Sequence, residues 1–307
     1  MVGTWSPRIP NSLKDVLRRA APLRVAVNQY RAHRLAAGPK RLDACAAQFA
    51  MNLHLTGAAP LEGKVCLEIG AGWVLSHALV CHLLGAQRII VTDLSAIAHP
   101  QTLSKALSTS SLSLVRDILA PFSDHSDLRA RLEGLAAVQS WDFETLRRLG
   151  IEYQAPVDLS HGWSGPKADF IYSFSVLEHV AVDEIDALLA TLGDALLPGG
   201  HMLHNVHLED HKAIASDPLR FLQEPSASYG RALQNDRGNR VRSSQWQRRF
   251  DQLPGLSTDL FYAWQRLDKP LPSTIDPSIE HTGEDDLRTS HIGIHSVRVA
   301  SDAEPTA

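Results

Sequence analysis

A chain of 307 residues with 44% hydrophobic and 21% charged residues can bury a large core, which excludes a disordered or fibrous protein. Neither an apolar run of about eighteen residues nor a signal-peptide pattern is present, so we expect no membrane span and a cytoplasmic location. The three cysteines, Cys45, Cys66 and Cys81, stand apart in apolar stretches, which favours free thiols in a reducing compartment.

The net charge of −4 is unevenly distributed along the chain. Residues 1–45 hold nine Lys and Arg residues against two Asp residues, a local charge of +7 that leaves −11 on the rest. Solvated faces of N-terminal helices are the favoured interpretation of this basic segment. An anionic partner or an organelle transit peptide are the alternatives.

The N-terminal region predicts three helices. "SLKDVLRRA" and "LRVAVNQYRAHRLA" carry apolar residues at helical spacing and are separated at Pro22. "LDACAAQFAMNLHL" predicts the third helix. We therefore expect a helical extension over residues 1–58.

From residue 59 onward, short apolar runs alternate with helical stretches. The predicted strands are 65–69, 88–94, 151–157, 169–175 and 201–208. The helix before the fifth strand is expected to end at Pro198-Gly199-Gly200, and the segment 95–150 is expected to hold two or three helices. Such alternation predicts an α/β fold, with a mainly parallel sheet covered by helices on both faces.

After residue 208 this alternation stops. The polar, turn-rich segment 209–242 predicts a cap or lid, and Ser244 with Gln247 has the spacing of a capping box that opens a helix. "FYAWQ" and "HIGIHSVRV" predict two closing strands. We assign 59–208 to the core, 209–300 to the cap and closing strands, and 301–307 to a disordered tail.

The turn in "KVCLEIGAGWVL" (64–75) has the composition of a cofactor site. Gly70 and Gly72 allow a ligand to approach the backbone, but Leu75 occupies the place of the third glycine of a dinucleotide fingerprint, and no Gly-Lys-Ser/Thr follows. Glu68 would repel a pyrophosphate and attract a cationic group, and Asp93 ends the next strand, where it can bind ribose hydroxyls. These features together favour S-adenosylmethionine.

Four segments, in the same order along the chain, resemble motifs of the class I S-adenosylmethionine-dependent methyltransferases. They are "VCLEIGAGW" (65–73), "VTD" (91–93), "ADFIYSFSVLEHV" (168–180) and "LLPGGHMLH" (196–204). The resemblance implies a Rossmann-like, mainly parallel sheet of seven strands with helices on both faces, a helical N-terminal extension and a cap insertion. The residues it implies for cofactor binding are Glu68, Gly70, Ala71, Gly72, Trp73, Asp93 and Asp158.

Individual roles follow from the same resemblance. Glu68 would orient the amino group of the cofactor, directly or through water, and Asp93 would hold the ribose. Asp158 would lie near the adenine, although a plain turn aspartate is an equal alternative. The chain departs from the family pattern at Val74, where a third glycine is common, and we expect Trp73 to cover the cofactor there.

Histidines cluster where the parallel strands are predicted to end, the edge at which ligands bind in such sheets. His207 or His179 is the predicted general base for a hydroxyl acceptor. The residues expected to bind the acceptor are His204, His211, Arg240 and Arg242, with solvated loop arginines as the alternative for the last two. A metal site at His204, His207, Asp210 and His211 is the alternative, but it is not predicted, because the spacing matches no standard ligand set and neighbours on a strand point to opposite faces.

The acceptor is expected to be a small molecule or a glycan. The motif of base amino-methyltransferases is missing after the fourth strand, no cysteine follows a proline, and the body of the chain is acidic, all of which disfavour nucleic acid. "LEIGAGW", "SVLEHV", "NRVRSSQWQRRF" and "EDDLRTSHIGI" look similar to bacterial methyltransferases encoded among surface-polysaccharide or secondary-metabolite genes. O-methylation is favoured. N-methylation, a non-catalytic binding protein and a nicotinamide oxidoreductase are the alternatives.

Overall fold

The computed structural model describes residues 21–299, and their side chains from residue 29 onward. The helix predicted from "SLKDVLRRA" and the disordered tail predicted at 301–307 lie outside the described residues. Within them, no helix is both long enough and apolar enough to cross a membrane.

The described residues form one sheet of seven strands in the order β3-β2-β1-β4-β5-β7-β6. Strands β1 to β5 are parallel, and β7 runs antiparallel between β5 and β6. Their bounds are β1 (Val65–Ile69), β2 (Arg88–Thr92), β3 (Ile151–Gln154), β4 (Ala168–Phe174), β5 (Leu196–His207), β6 (Leu256–Gln265) and β7 (Thr289–Arg298). The predicted Rossmann-like sheet is confirmed.

Strand β5 begins earlier than expected. Pro198-Gly199-Gly200 lies inside this strand and does not end the preceding helix. The pairing shifts register here, because Ala168 and Phe170 of β4 pair with Leu196 and His201. The Pro-Gly-Gly segment therefore forms an irregularity within a strand, which the flexible backbone of Gly199 (φ 72°) accommodates.

Helices occupy both the N-terminal region and the connections between strands. Their bounds are α1 (Ala21–Ala36), α2 (Leu42–Thr56), α3 (Ser76–Leu83), α4 (Leu103–Ser108), α5 (Leu112–Leu119), α6 (His125–Ala136), α7 (Phe143–Arg148), α8 (Ile185–Ala195), α9 (Arg231–Arg237), α10 (Ser243–Asp251) and α11 (Glu284–Arg288). The connection from β2 to β3 holds four helices, α4 to α7, where two or three were expected.

Two hydrophobic cores cover the two faces of the sheet. Cys66 and Phe170 belong to the core under α2, α3 and α6, whereas their neighbours Leu67 and Ile171 belong to the core under α8 and α10. Because both faces are buried, the strands are apolar without strict alternation.

Helix α2 is part of the first core. Phe49 packs against Tyr172 and Phe174 of β4, with ring centroids 5.2 and 5.6 Å away. The Asn52 amide donates to Asn205 Oδ1 over 2.6 Å, and Asn205 Nδ2 lies 2.7 Å from the hydroxyl of Tyr262. A buried chain of polar groups thus joins α2, β5 and β6.

The segment between β5 and β6 forms a cap, which shares a small apolar cluster with the connection from β6 to β7. The cluster consists of Leu219, Phe221, Leu222, Tyr229, Ile279 and Leu287. The predicted Ser244–Gln247 capping box is wrong: α10 begins at Ser243, and the Gln245 side chain accepts from the backbone N–H of Arg242 over 3.0 Å. The Ser244 hydroxyl instead donates to Asp286.

Candidate active site

The turn after β1 brings its backbone against the end of β4. Gly70 and Gly72 have φ values of 66° and 68°, the left-handed region that glycine adopts readily. A Cβ on Gly70 would lie 2.6 Å from a methyl group of Val176, whereas a Cβ on Gly72 would meet nothing within 4 Å. Gly70 is therefore needed for close packing, and Gly72 leaves open space beside the turn.

Asp93 links the end of β2 to this turn. Its carboxylate accepts from the backbone N–H of Gly72 and of Ser95, each over 2.9 Å. Each carboxylate oxygen has a further lone pair beyond these bonds. The side chain is thereby fixed at the rim of the turn while it can still accept from a ligand hydroxyl.

A cleft of about 500 Å³ opens between the turn and the end of β4. Its volume is within the usual range for small-molecule and cofactor sites. Of the predicted site residues, it is lined by Gly70, Trp73, Asp93, Asp158 and His179. The Trp73 ring stacks on His99, with centroids 6.0 Å apart, and so forms one wall.

Four histidine rings meet beside this cleft, at the ends of β4 and β5 and the start of β7. The His207 ring lies 3.9 Å from His291 and 4.6 Å from His211, centroid to centroid. The His179 and His211 rings are 4.5 Å apart. Three of these histidines were predicted from the sequence, and His291 was missed.

Residues 41–258 match the family model described as a methyltransferase domain. The chain belongs to this methyltransferase family. Its fold and glycine turn agree with that membership, and its cofactor is S-adenosylmethionine. The open side of Gly72 and the remaining acceptor capacity of Asp93 fit such a ligand.

Solved structures similar to this methyltransferase include three with low sequence identity. An S-adenosylmethionine-dependent methyltransferase from Mesorhizobium loti shares 15% identity over 82% of this chain and 98% of its own, with a TM-score of 0.45. Magnesium protoporphyrin IX methyltransferase from Synechocystis, with bound SAH, shares 12% over 84% and 85%, with a TM-score of 0.43. N-methyltransferase NodS from Bradyrhizobium japonicum shares 12% over 82% and 94%, with a TM-score of 0.39. No curated protein matches the chain.

Two predicted cofactor contacts of the methyltransferase are buried. Glu68 is 4% exposed and lies behind the turn, where its carboxylate accepts from the Tyr172 hydroxyl over 3.1 Å and burial raises its pKa to about 7. Ala71 is also buried, and its N–H donates to Thr92 O over 3.0 Å. Neither residue lines the cleft, and the contact of Glu68 with the amino group of the cofactor stays a prediction.

Asp158 combines the two roles that the sequence left open. Its carboxylate accepts from the backbone N–H of Ser160 over 3.0 Å and caps the short 3-10 turn Leu159–His161. The same residue lines the cleft. A capping aspartate therefore lies where a ligand can reach it.

Ser175 also lines the cleft and was not predicted. Its φ of 58° is uncommon for a residue with a side chain, and its backbone N–H donates to Asn205 O over 2.9 Å. Such strained residues concentrate at functional sites. Nothing in the sequence around Ser175 marks this conformation.

A carboxylate orients His207. Glu209 Oε2 lies 2.6 Å from His207 Nε2, and Glu209 also accepts from Arg266. Burial raises the pKa of Glu209. His207 and Arg266 lower it by more, so the net shift is downward. With Nε2 donating to the carboxylate, Nδ1 of a neutral His207 ring carries the free lone pair.

His179 is oriented by a backbone carbonyl. Its Nδ1 lies 2.8 Å from Asn235 O, so Nδ1 carries the proton and Nε2 the lone pair. The pKa of His179 is lowered, mainly because the ring is buried.

His204 has no access to an acceptor. Its side chain is fully buried, its Nδ1 lies 2.7 Å from the Ser173 hydroxyl, and its ring packs 5.7 Å from Phe250. Burial lowers its pKa to about 3. The predicted role of His204 in acceptor binding is contradicted, because residues three apart on a strand point to opposite faces and His204 points away from His207.

Both predicted arginines bind the protein itself. Arg242 is fully buried and donates to the carbonyls of Leu208, over 3.0 Å, and Thr289. Arg240 donates to Glu224 O over 2.5 Å and stacks over the Tyr229 ring at 4.0 Å. Neither the binding of an anionic acceptor nor the alternative of a solvated loop fits this burial.

Proposed function

We propose that this methyltransferase transfers a methyl group to a hydroxyl of a small molecule or a glycan. S-adenosylmethionine supplies a methyl group that is already activated, so the protein has to align the acceptor and remove its proton. The observation that carries the proposal is the Glu209–His207 pair beside the cofactor cleft, because it holds an imidazole lone pair in a fixed direction.

The cofactor is proposed to lie along the turn after β1. Gly70 and Gly72 would allow its approach, and Asp93 would accept from the ribose hydroxyls. Trp73 and Asp158 would contact the adenine side of the ligand, since both line the cleft.

His207 is the proposed general base. Glu209 keeps its Nε2 proton in place and would stabilise the imidazolium that forms when Nδ1 takes the acceptor's proton. The arginine partner of Glu209 keeps that carboxylate ionised. His179 would support the acceptor from the cleft side.

Aromatic side chains beside this base support an acceptor with a sugar or ring face. Trp264 is 52% exposed, and its ring lies 5.7 Å from His291 and 4.9 Å from Tyr262. Flat aromatic surfaces with polar groups nearby suit such ligands. The net charge of −11 over residues 46–307 disfavours a nucleic-acid acceptor.

Calorimetry tests the cofactor site. Asp93→Ala should weaken binding of S-adenosylhomocysteine by about 2–3 kcal/mol, because charged hydrogen bonds are lost. Asp142→Ala is the matched control, since Asp142 also accepts from a backbone N–H, that of Thr145, but lies outside the cleft. Unchanged affinity in a folded Asp93→Ala protein, or tighter binding of NAD than of S-adenosylhomocysteine, would contradict the assignment.

Single-turnover methyl transfer tests the base once an acceptor is found. His207→Ala should lower the rate by about 10²–10⁴-fold while the affinity for S-adenosylhomocysteine stays unchanged. His295→Ala, which removes a histidine at the other end of β7, should keep the parent rate. A His207→Ala rate equal to that of the parent across about pH 6–9 would mean that His207 is not the base, as expected for an amine acceptor.

A further inference from the structure

Glu178 is a buried carboxylate without a hydrogen bond. It follows β4, is 1% exposed, and neither of its oxygens has a hydrogen-bond partner within residues 29–299. Buried carboxylates are normally paired, hydrogen-bonded or bound to a metal, because an isolated one is very costly. Burial raises the pKa of Glu178, but the neighbouring His211 and His179 lower it by more, so the carboxylate is held ionised while both of its oxygens keep free lone pairs within residues 29–299.

Two imidazoles face this carboxylate. His211 Nε2 lies 3.5 Å from Glu178 Oε1 and has no hydrogen-bond partner itself among the described residues. One ligand atom each of Glu178, His179 and His211 can be chosen so that all three lie within 4.8 Å of one another. A separation of 3.5 Å is long for a hydrogen bond, but it matches the roughly 3.4 Å between two ligands of a tetrahedral ion with bonds of about 2.1 Å.

The surrounding structure holds these side chains in place. Asn235 O fixes the His179 ring through Nδ1, as the outer partners of metal-binding histidines do. The Asn239 side chain donates to Leu177 O and Val180 O, over 2.9 and 3.0 Å, and so clamps the turn that carries Glu178. The site is thus built jointly by the β4 turn and the cap.

A second group of three, His207, Glu209 and His291, is also close enough to hold a metal. Its carboxylate, however, already accepts from His207 and from Arg266. Glu209 therefore has an arginine partner, whereas among the described residues Glu178 has only His211 within ion-pair distance.

We propose that Glu178, His179 and His211 bind one divalent cation of the first transition series. Two imidazoles and one carboxylate suit Zn²⁺, Mn²⁺ or Fe²⁺, whereas Mg²⁺ prefers oxygen ligands. Three protein ligands leave coordination positions open. This site differs from the set considered from the sequence, because His204 is buried on the other face of β5 and Asp210 pairs with Arg237.

The open positions give the cation a role that rests on the proposed function. An acceptor hydroxyl bound there would become more acidic, and its proton would pass to His207, whose ring lies 4.6 Å from that of His211. The acceptors favoured by this arrangement carry a second oxygen next to the hydroxyl, such as a vicinal diol or a hydroxy acid, because two oxygens can chelate one cation.

Calorimetry on the chelator-treated full chain, with Zn²⁺, Mn²⁺ and Mg²⁺ as separate titrants, tests the proposal. We expect one equivalent of Zn²⁺ or Mn²⁺ to bind, with an affinity about 100-fold lower or worse in Glu178→Gln and His211→Ala. The matched control is His295→Ala, which disrupts the His201–His295 pair, 3.0 Å apart at the opposite end of the same strands. This control should bind the cation as the parent does.

Thermal unfolding keeps the test valid if a variant is less stable. The cation should raise the melting temperature of the parent and of His295→Ala but not that of Glu178→Gln. The readout is the change in melting temperature on adding the cation, so a difference in stability between Glu178→Gln and the parent without cation does not affect the test. Absence of stoichiometric binding, or binding that neither variant weakens, would mean that Glu178 and His211 form an ion pair only.

Titration of the same samples with S-adenosylhomocysteine separates the two proposals. A parent protein that binds S-adenosylhomocysteine but no cation refutes the metal site and leaves the methyltransferase assignment intact. One that binds the cation but not S-adenosylhomocysteine refutes the proposed function and leaves the metal site intact.

Discussion

Gly70 and Gly72 form a natural pair for testing how the cofactor turn is built. Their φ values, 66° and 68°, are nearly equal, so replacement by alanine should cost about 1–2 kcal/mol of backbone strain at either position. Only the methyl group added at Gly70 meets protein atoms, at 2.6 and 2.7 Å from two methyl groups of Val176. Such overpacking adds about 1–3 kcal/mol.

We therefore expect Gly70→Ala to lower the free energy of unfolding by about 2–5 kcal/mol and Gly72→Ala by about 1–2 kcal/mol. Urea unfolding followed by circular dichroism measures both values. Val176→Ala, combined with each glycine variant, separates the contact from the strain. It should recover about 1–3 kcal/mol in the Gly70→Ala background and show no coupling with Gly72→Ala.

Two results would refute this reasoning. Equal destabilisation by the two glycine variants would mean that the backbone near Val176 moves aside without cost. Equal coupling of Val176→Ala to both would mean that the turn responds as a unit, so that the distances at Gly70 do not determine its stability.

Two further predictions concern residues that the structure removes from the acceptor site. His204 has a pKa of about 3 in the folded protein, against an ordinary value of 6.5. Between these two pH values the imidazole is protonated in the unfolded chain but not in the folded one, so the free energy of unfolding should fall as the pH drops from 6.5 to about 3. His204→Gln should show a smaller loss in urea unfolding over that range, and identical profiles would argue against a neutral buried ring. Arg242→Met should lower the free energy of unfolding by about 3 kcal/mol by orphaning buried carbonyls, against under about 1 kcal/mol for the exposed Arg248→Met. Equal losses would contradict the buried role of Arg242.

The strands and the cofactor turn were predictable because their signals are local. The runs 65–69 and 88–92 are apolar because both faces of the sheet are covered. The first strand has the predicted bounds, and the second ends two residues before its predicted end at residue 94. Gly70, Gly72 and Asp93 are likewise read from the chain itself, since glycines after one strand and an acid at the end of the next must meet at one edge of a parallel sheet.

The acceptor side was predicted only in part, because its contacts join distant segments. Glu209 is paired by Arg266, 57 residues later, and His291 reaches His207 from an antiparallel strand. Arg242 lies in a polar stretch and so was expected to reach solvent or a ligand. Its guanidinium instead donates to the carbonyls of Leu208 and Thr289, at the end of β5 and the start of β7. Periodicity describes one element at a time and carries no information on which elements meet.

The hydrogen bond between the buried amides of Asn52 and Asn205 makes helix α2 part of the sheet's packing, although a domain boundary was predicted at residue 58. A chain shortened to begin at residue 59 would keep every strand and the cofactor turn, yet it would lose the Phe49 ring from one face of β4. It would also lose the Asn52 partner of Asn205, which would keep only its hydrogen bond to the Tyr262 hydroxyl. Exchange of this segment between homologous enzymes should therefore succeed only when the sheet residues that it contacts, Tyr172 and Asn205, are exchanged with it.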